Sequence, residues 1–249
     1  MRTFKAVVEY DGTAYHGWQV QKNLPTVQGA MEAALARILQ APTRVHGAGR
    51  TDSGVHAVGQ VVHFPADWAH APAKLQKGLN ALLPPDIAVR GVEIAPDGFH
   101  ARHSARAKTY VYTILNRAVP SPLHRLYCWH VPYSLDVSSM GRAAEHLLGS
   151  HDFATFGAPT DGTPSTVREI LVARWDKVSP EDVLTFTVKG TGFLRYMVRS
   201  LVGSLVMVGT HKIGPGEFRS DLESCDRSRS GPTAPAAGLC LVHVEYDPS

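Results

Sequence analysis

The residues most able to do chemistry sit together in His46-Gly47-Ala48-Gly49-Arg50-Thr51-Asp52-Ser53-Gly54-Val55-His56. Three glycines let the main chain turn sharply there and come close to a ligand. The turn presents a carboxylate, Asp52, with an arginine two residues before it. In locally extended backbone, alternate side chains share a direction, so Arg50 and Asp52 would point the same way. Asp52 is the sole acid between Ala33 and Phe64. A carboxylate so placed can serve as a nucleophile or a general base. The plain alternative is a hairpin loop with a surface ion pair worth less than about 1 kcal/mol, since Gly and Asp are ordinary turn residues. Asp52-Ser53-Gly54 also spells the aspartic-protease tripeptide. That chemistry needs two carboxylates sharing a proton, and the chain carries one copy, preceded by Arg50-Thr51 and not by an apolar strand.

Two further groups stand out. The first is Phe99-His100-Ala101-Arg102, followed by Ala107-Lys108-Thr109-Tyr110-Val111-Tyr112. Tyr110 and Tyr112 fall on one face of an expected strand, where packing is the ordinary role of a tyrosine. The second is Gly192-Phe193-Leu194-Arg195-Tyr196-Met197-Val198-Arg199, leading into an apolar run. Either arginine could lie on the wet side of a helix. A buried one would need an anionic partner, because an unpaired buried charge is costly, and Asp52 is the partner of choice. Residues 189–196 (KGTGFLRY) also approach the RNP1 signature of RNA-recognition domains. Thr191, however, occupies the slot of a stacking aromatic, and half of that stretch reads as helix.

The elements that must hold these groups follow from periodicity. Residues 3–10 read as a strand ending at Asp11-Gly12. Val27, Ala30, Met31, Ala34, Leu35, Ile38 and Leu39 then recur at helical spacing, with Thr26 as N-cap. Strands near 43–48 and 58–64 flank the glycine-rich turn. Leu75, Leu79 and Leu82 predict a helix opened by Pro72, and a strand covers 87–94. The second half repeats the order: a strand over 108–116, a helix near 136–148, strands near 167–177 and 182–189 joined by a polar stretch, a long apolar helix over 192–208, a short one over 215–224, and a strand over 239–246. An extra edge strand is expected at 127–133. The fold class expected is α+β: two tandem ferredoxin-like β-α-β-β-α-β units with antiparallel sheets flanking a central cleft, residues 1–100 carrying Asp52 and residues 101–249 forming the second half.

Composition narrows the function. The 249 residues are 44% hydrophobic, enough for one large core or two moderate ones. The net charge of +3 is uninformative, but its distribution is not. Gly98 to Leu135 holds no acid, while Arg102, Arg106, Lys108, Arg117 and Arg125 fall inside it. Val183 to Gly216 is also free of acids and carries Lys189, Arg195, Arg199 and Lys212. Aromatics interleave with the first stretch, at Phe99, Tyr110, Tyr112, Tyr127, Trp129 and Tyr133. Cations for phosphates beside flat rings for bases suit looped or single-stranded RNA. The three cysteines are far apart and form no C-x-x-C, which argues against a disulfide frame or a zinc site. His100 and His103 form a loose pair with no obvious third ligand, and no metal is expected. MRTFKAVVEY lacks a signal core, and the apolar run Leu201 to Gly209 is too short to span a bilayer. No membrane contact is expected, and the protein is expected to be cytoplasmic.

Several long blocks, in order along nearly the whole chain, resemble the bacterial tRNA pseudouridine synthase A family. They are residues 10–21 (YDGTAYHGWQVQ), 49–57 (GRTDSGVHA), 99–112 (FHARHSARAKTYVY), 192–205 (GFLRYMVRSLVGSL) and 231–246 (GPTAPAAGLCLVHVEY). The resemblance implies two ferredoxin-like halves, a homodimer, no cofactor and no required metal. It implies tRNA as substrate, with the uridines at positions 38, 39 and 40 of the anticodon stem-loop as targets. Carried onto matching positions, it makes Asp52 the catalytic carboxylate, stacks Tyr110 on the target base and pairs Arg199 with Asp52. Arg50 would contact Asp52 or a phosphate, and Arg195 and Tyr196 receive no role. A non-catalytic tandem RNA-binding module shares the basic and aromatic composition, but it has no need of Arg-Thr-Asp in a glycine-rich turn.

Overall fold

A computed structural model of the chain describes residues 1–159, 164–178 and 182–247. In chain order the elements are β1 (Arg2–Tyr10), α1 (Val27–Leu39), β2 (His46–Gly47), β3 (His56–Ala66), α2 (Pro72–Leu82), β4 (Ile87–Ile94), β5 (Ala105–Asn116) and β6 (Trp129–Val131). They continue with α3 (Val137–Glu145), β7 (Gly149–Asp152), β8 (Val167–Val178), β9 (Val183–Gly190), α4 (Met197–Gly209), α5 (Pro215–Ser224) and β10 (Leu239–Tyr246). The class is α+β with mainly antiparallel pairing. The chain forms two compact units, Met1–Arg106 with Cys240–Ser249, and Ala107–Leu239. The boundary falls after Arg106, and the last strand of the chain joins the first unit.

In the first unit β4, β1 and β3 lie side by side, all antiparallel, and β2 pairs with β3 at His46 and Gly47. β10 meets β3 in parallel, through Cys240 and Leu241. Phe4, Ala6, Val8 and Tyr10 alternate along β1 as its buried side, the period-two pattern of a strand with one face on a core. Thr26 caps α1 as expected, accepting from the backbone N–H of Gly29 at 3.3 Å. Val27, Met31, Ala34 and Leu35 form the buried stripe of that helix. Pro72 opens α2, where a missing N–H costs nothing. α2 buries Leu75 and Leu79 and packs on α1 and β4.

In the second unit the order is β5-β9-β8-β7, antiparallel throughout, with β6 pairing β5 in parallel. α3 packs on α4, α5 and β8, over a core that includes Tyr112, Phe153, Phe156, Phe186 and Phe218. Beside β5, α3, β8, β9 and α4, this unit carries β6, β7 and α5. β7, with the sequence GSHD, has no β-branched or aromatic residue to announce it, and its pairing with β8 makes it a strand. The expected strand over 43–48 shrinks to His46–Gly47, and that over 127–133 to Trp129–Val131. The long apolar helix starts at Met197, five residues later than the spacing predicts. Arg195 exchanges both backbone hydrogen bonds with Ala158 (3.1 and 3.4 Å), and Tyr196 adopts a left-handed φ of 63°, so helical geometry cannot extend upstream. Residues 179–181, in the polar connection between β8 and β9, fall outside the described residues.

Candidate active site

Asp52 lies in the connection between β2 and β3, and both sides of that connection are tied down. On the sheet side, Ala48 N–H donates to the Val61 carbonyl at 2.8 Å. Gln60, on β3 and fully buried, turns its side-chain amide towards the turn and donates to the Gly49 carbonyl at 2.9 Å. The same amide nitrogen lies 3.5 Å from the Tyr10 hydroxyl, which lies 2.8 Å from Thr51 Oγ1. Burial pushes the Tyr10 phenol well above its ordinary range, so it stays protonated. With the amide donating to the phenol, the phenol donates onward to Thr51. The residue immediately before Asp52 is thus held by a buried relay from two strands.

The other side is held by residues 11–18. Trp18 N–H donates to the Thr51 carbonyl at 3.0 Å, Gly54 N–H to the Tyr15 carbonyl at 3.3 Å, and Ser53 Oγ to the same carbonyl at 3.1 Å. Within the turn, Val55 N–H returns to the Asp52 carbonyl at 3.1 Å. This close approach demands glycine at two places. A Cβ on Gly12 would stand 2.0 Å from the Val55 carbonyl oxygen. One on Gly17, whose φ is +89°, would stand 2.6 Å from that of Thr51. The Tyr15 hydroxyl donates to Asp86 Oδ1 at 2.5 Å, and Asp11 N–H donates to the Asp86 carbonyl at 2.9 Å. Burial, followed by the Asp86 carboxylate, raises the Tyr15 phenol and keeps that donor protonated. The loop is therefore anchored to the segment entering β4. Asp52 itself is half-buried and Arg50 exposed. A carboxylate on a turn held by these hydrogen bonds from the loop, the turn itself, β3 and β1 can be aimed at a reacting atom without first being ordered, which is what orientation-driven catalysis requires.

The remaining expected site residues belong to the second unit. Tyr110, on β5, is buried and meets Phe193 edge-on, with centroids 5.1 Å apart at 82°. Arg199 is the third residue of α4 and half-buried. Its Nε donates to the Ala234 carbonyl at 2.7 Å, and Ala234 N–H returns a bond to the Arg199 carbonyl at 3.1 Å. That contact fixes the guanidinium to the loop before β10. Arg195, outside the helix, lies over the Tyr196 ring at 4.7 Å and donates to its hydroxyl at 2.8 Å, and the Arg199 guanidinium carbon is 5.7 Å from the same ring. Among the described residues, no group of three or more His, Cys, Asp or Glu is disposed to hold a metal ion, and no helix is long and apolar enough to cross a membrane. Tyr10 and Gln60 support the turn from positions outside it in sequence. Gln60, a polar residue in the apolar run of β3, was the available signal.

The chain matches the family model described as tRNA pseudouridine synthase over residues 6–104 and 143–247. It is 43% identical over 246 residues to the tRNA pseudouridine synthase A of Thermoanaerobacter sp. (strain X514), covering 99% of this chain and 100% of that one. It is 45% identical over 249 residues to the protein of the same name from Geobacter sulfurreducens, covering 99% and 100%. It is 46% identical over 247 residues to that of Geobacter sp. (strain M21), covering 99% of each.

Proposed function

Because the chain belongs to the tRNA pseudouridine synthase family, we propose that it isomerises uridine to pseudouridine in tRNA, at positions 38, 39 and 40 of the anticodon stem-loop. The observation that carries this reading is Asp52, the one acid between Ala33 and Phe64, on a turn clamped by Gln60, Tyr10 and the loop 11–18.

The reaction breaks the bond between C1′ of the ribose and N1 of uracil, rotates the base and joins C1′ to C5; the C5 hydrogen leaves to solvent as a proton and N1 takes one up. No oxidation state changes overall, and no cofactor is needed. Asp52 acts as nucleophile at C1′ or at C6 of the base, or as base at C2′. A guanidinium beside the carboxylate would favour its ionised form, the role that the resemblance gives to Arg199. Arg50 contacts Asp52 or a phosphate. The target base must leave its stack, at a cost of a few kcal/mol, and stacking on the Tyr110 ring offsets part of that. A cytoplasmic homodimer completes the proposal.

The test is single-turnover release of tritium from tRNA labelled at uridine C5, since only an isomerase frees that hydrogen. Asp52→Asn is expected to abolish release while melting temperature and tRNA binding stay near wild type. Release at the wild-type rate from folded Asp52→Asn would overturn the catalytic assignment. Binding without release by the wild-type protein would favour the non-catalytic RNA-binding module.

A further inference from the structure

We propose that His46, His63, His100 and His103, together with Arg102, form a binding site for a phosphate of the RNA backbone in the first unit, and that this contact takes up protons; the identity of the RNA rests on the function proposed above.

The site follows from the register of the sheet. Glu93 of β4 is opposite Lys5 of β1, Lys5 is opposite His63 of β3, and His63 is opposite His46 of β2. Residues directly opposed in a sheet share a face, so these four form one row. Lys5 is neutralised within the row by Glu93 at 2.8 Å and lies 5.5 Å from the Phe99 ring and 5.3 Å from the Tyr246 ring. Beyond Lys5 the row is imidazole only. Residues 99–103 then add to it: the His100 ring lies 4.4 Å from His63 and 5.7 Å from His46, and His103 lies 4.3 Å from His100, while His46 and His63 stack at 4.9 Å.

The two inner rings have fixed tautomers. His63 Nδ1 accepts from Ala101 N–H at 3.1 Å, and His100 Nδ1 accepts from the N–H groups of Arg102 at 3.2 Å and His103 at 3.3 Å. Each therefore carries its proton on Nε2 and is a neutral donor. Burial, followed by the charges of His100, His46 and His103, pushes His63 down to about 4. Burial, then His103 and His46 and, more weakly, Arg102 depress His100, against an opposing backbone hydrogen bond. Every charged group acting on these two rings is thus a base. Among the described residues none of the four histidines, nor Arg102, forms an ion pair with a carboxylate.

A face of donors and latent cations without a counter-anion is complemented by a group with several acceptor oxygens and fixed negative charge. A phosphodiester has both. His46 and His103 are exposed and can protonate when the anion arrives, because a nearby negative charge favours the imidazolium. Affinity then rises as protons are taken up with the anion, while His63, held at about 4, stays neutral. β2, which carries His46, leads directly into the connection that carries Asp52, so the two lie on one stretch of chain.

The test compares the full-length protein with the double variant His46→Gln/His103→Gln, both positions being exposed. Binding of unmodified tRNA transcript is measured by filter retention from pH 8.0 to 5.5 at constant ionic strength. Wild-type affinity should rise about tenfold more than that of the variant across this range, the scale of one charge-assisted contact, with the two within about twofold at pH 8.0. Arg102→Gln should weaken binding at both ends and lower the salt slope by about one. Inorganic phosphate, followed by NMR titration of the histidines, should raise the pKa values of His46 and His103 much less than tRNA does. An equal rise with inorganic phosphate would overturn the assignment to the RNA backbone, and parallel pH profiles for wild type and double variant would overturn the site. Tritium release at pH 8.0 is read on the same samples. Its absence from the wild type refutes the isomerase reading, and parallel binding profiles with normal release refute the phosphate site alone.

Discussion

Lowering the pH from 7.5 to 4.5 should destabilise the first unit, chiefly through His63. The ring is only 9% exposed and its Nδ1 is occupied by Ala101 N–H, so the imidazolium has neither solvent nor an acceptor on that side. Its folded pKa is held at about 4 against an ordinary 6.5, first by burial and then by the neighbouring imidazoles. Well above pH 6.5 both folded and unfolded chains carry a neutral ring and the stability is fully present. Below 6.5 the unfolded chain binds a proton that the folded chain refuses, so stability falls until the pH reaches the folded value. Between pH 7.5 and 4.5 this linkage amounts to about 2.5 kcal/mol, or roughly 5–10 °C in melting temperature for a chain of this size. The depressed pKa of His100 adds in the same direction. The assay is urea unfolding at half-unit pH steps, comparing wild type with His63→Gln. The variant removes the titrating ring and loses about 1–3 kcal/mol at every pH because Ala101 N–H loses its acceptor, but its stability should be flatter across the window by about 2 kcal/mol. Equal slopes for the two proteins would refute the argument that burial keeps this ring neutral.

Gly17→Ala forces a Cβ to within 2.6 Å of the Thr51 carbonyl at a left-handed φ; it should cost about 1–3 kcal/mol and slow single-turnover tritium release at least tenfold, and a variant with unchanged melting and turnover would show that the turn tolerates displacement. Tyr10→Phe removes the hydroxyl between Gln60 and Thr51; it should lower the turnover rate more than tRNA affinity, whereas equal losses in both would indicate general loosening of the core. Tyr110→Phe should keep most activity because the ring survives, whereas Tyr110→Leu should lose the stacking contact along with the edge-on pair with Phe193, worth about 0.5–1.5 kcal/mol; wild-type turnover by the leucine variant would contradict the stacking role. Affinity for tRNA should fall linearly with the logarithm of salt concentration, with a slope reflecting several released counterions, and a flat dependence would contradict binding through the two acid-free basic stretches.

Much of the local structure could be read from residue order alone, because period and capping are local properties. The Thr26 cap, the Pro72 start of α2 and the bounds of β4 and β10 came directly from spacing and turn residues. The glycine-rich turn and its lone acid were equally plain, as was the likeness to a family whose model the chain matches. Other features depend on partners distant in sequence. β7 is a strand because β8 pairs with it, and α4 starts late because Ala158 captures the backbone of Arg195. The buried relay from Gln60 through Tyr10 to Thr51 joins positions 41 and 50 residues apart, and no local pattern reports such a contact. The histidines show the division most clearly. From spacing, His100 and His103 formed a pair without further company. The register of β1, β2 and β3 brings His46 and His63 beneath them, because strand pairing aligns side chains by position in the sheet and not by distance along the chain.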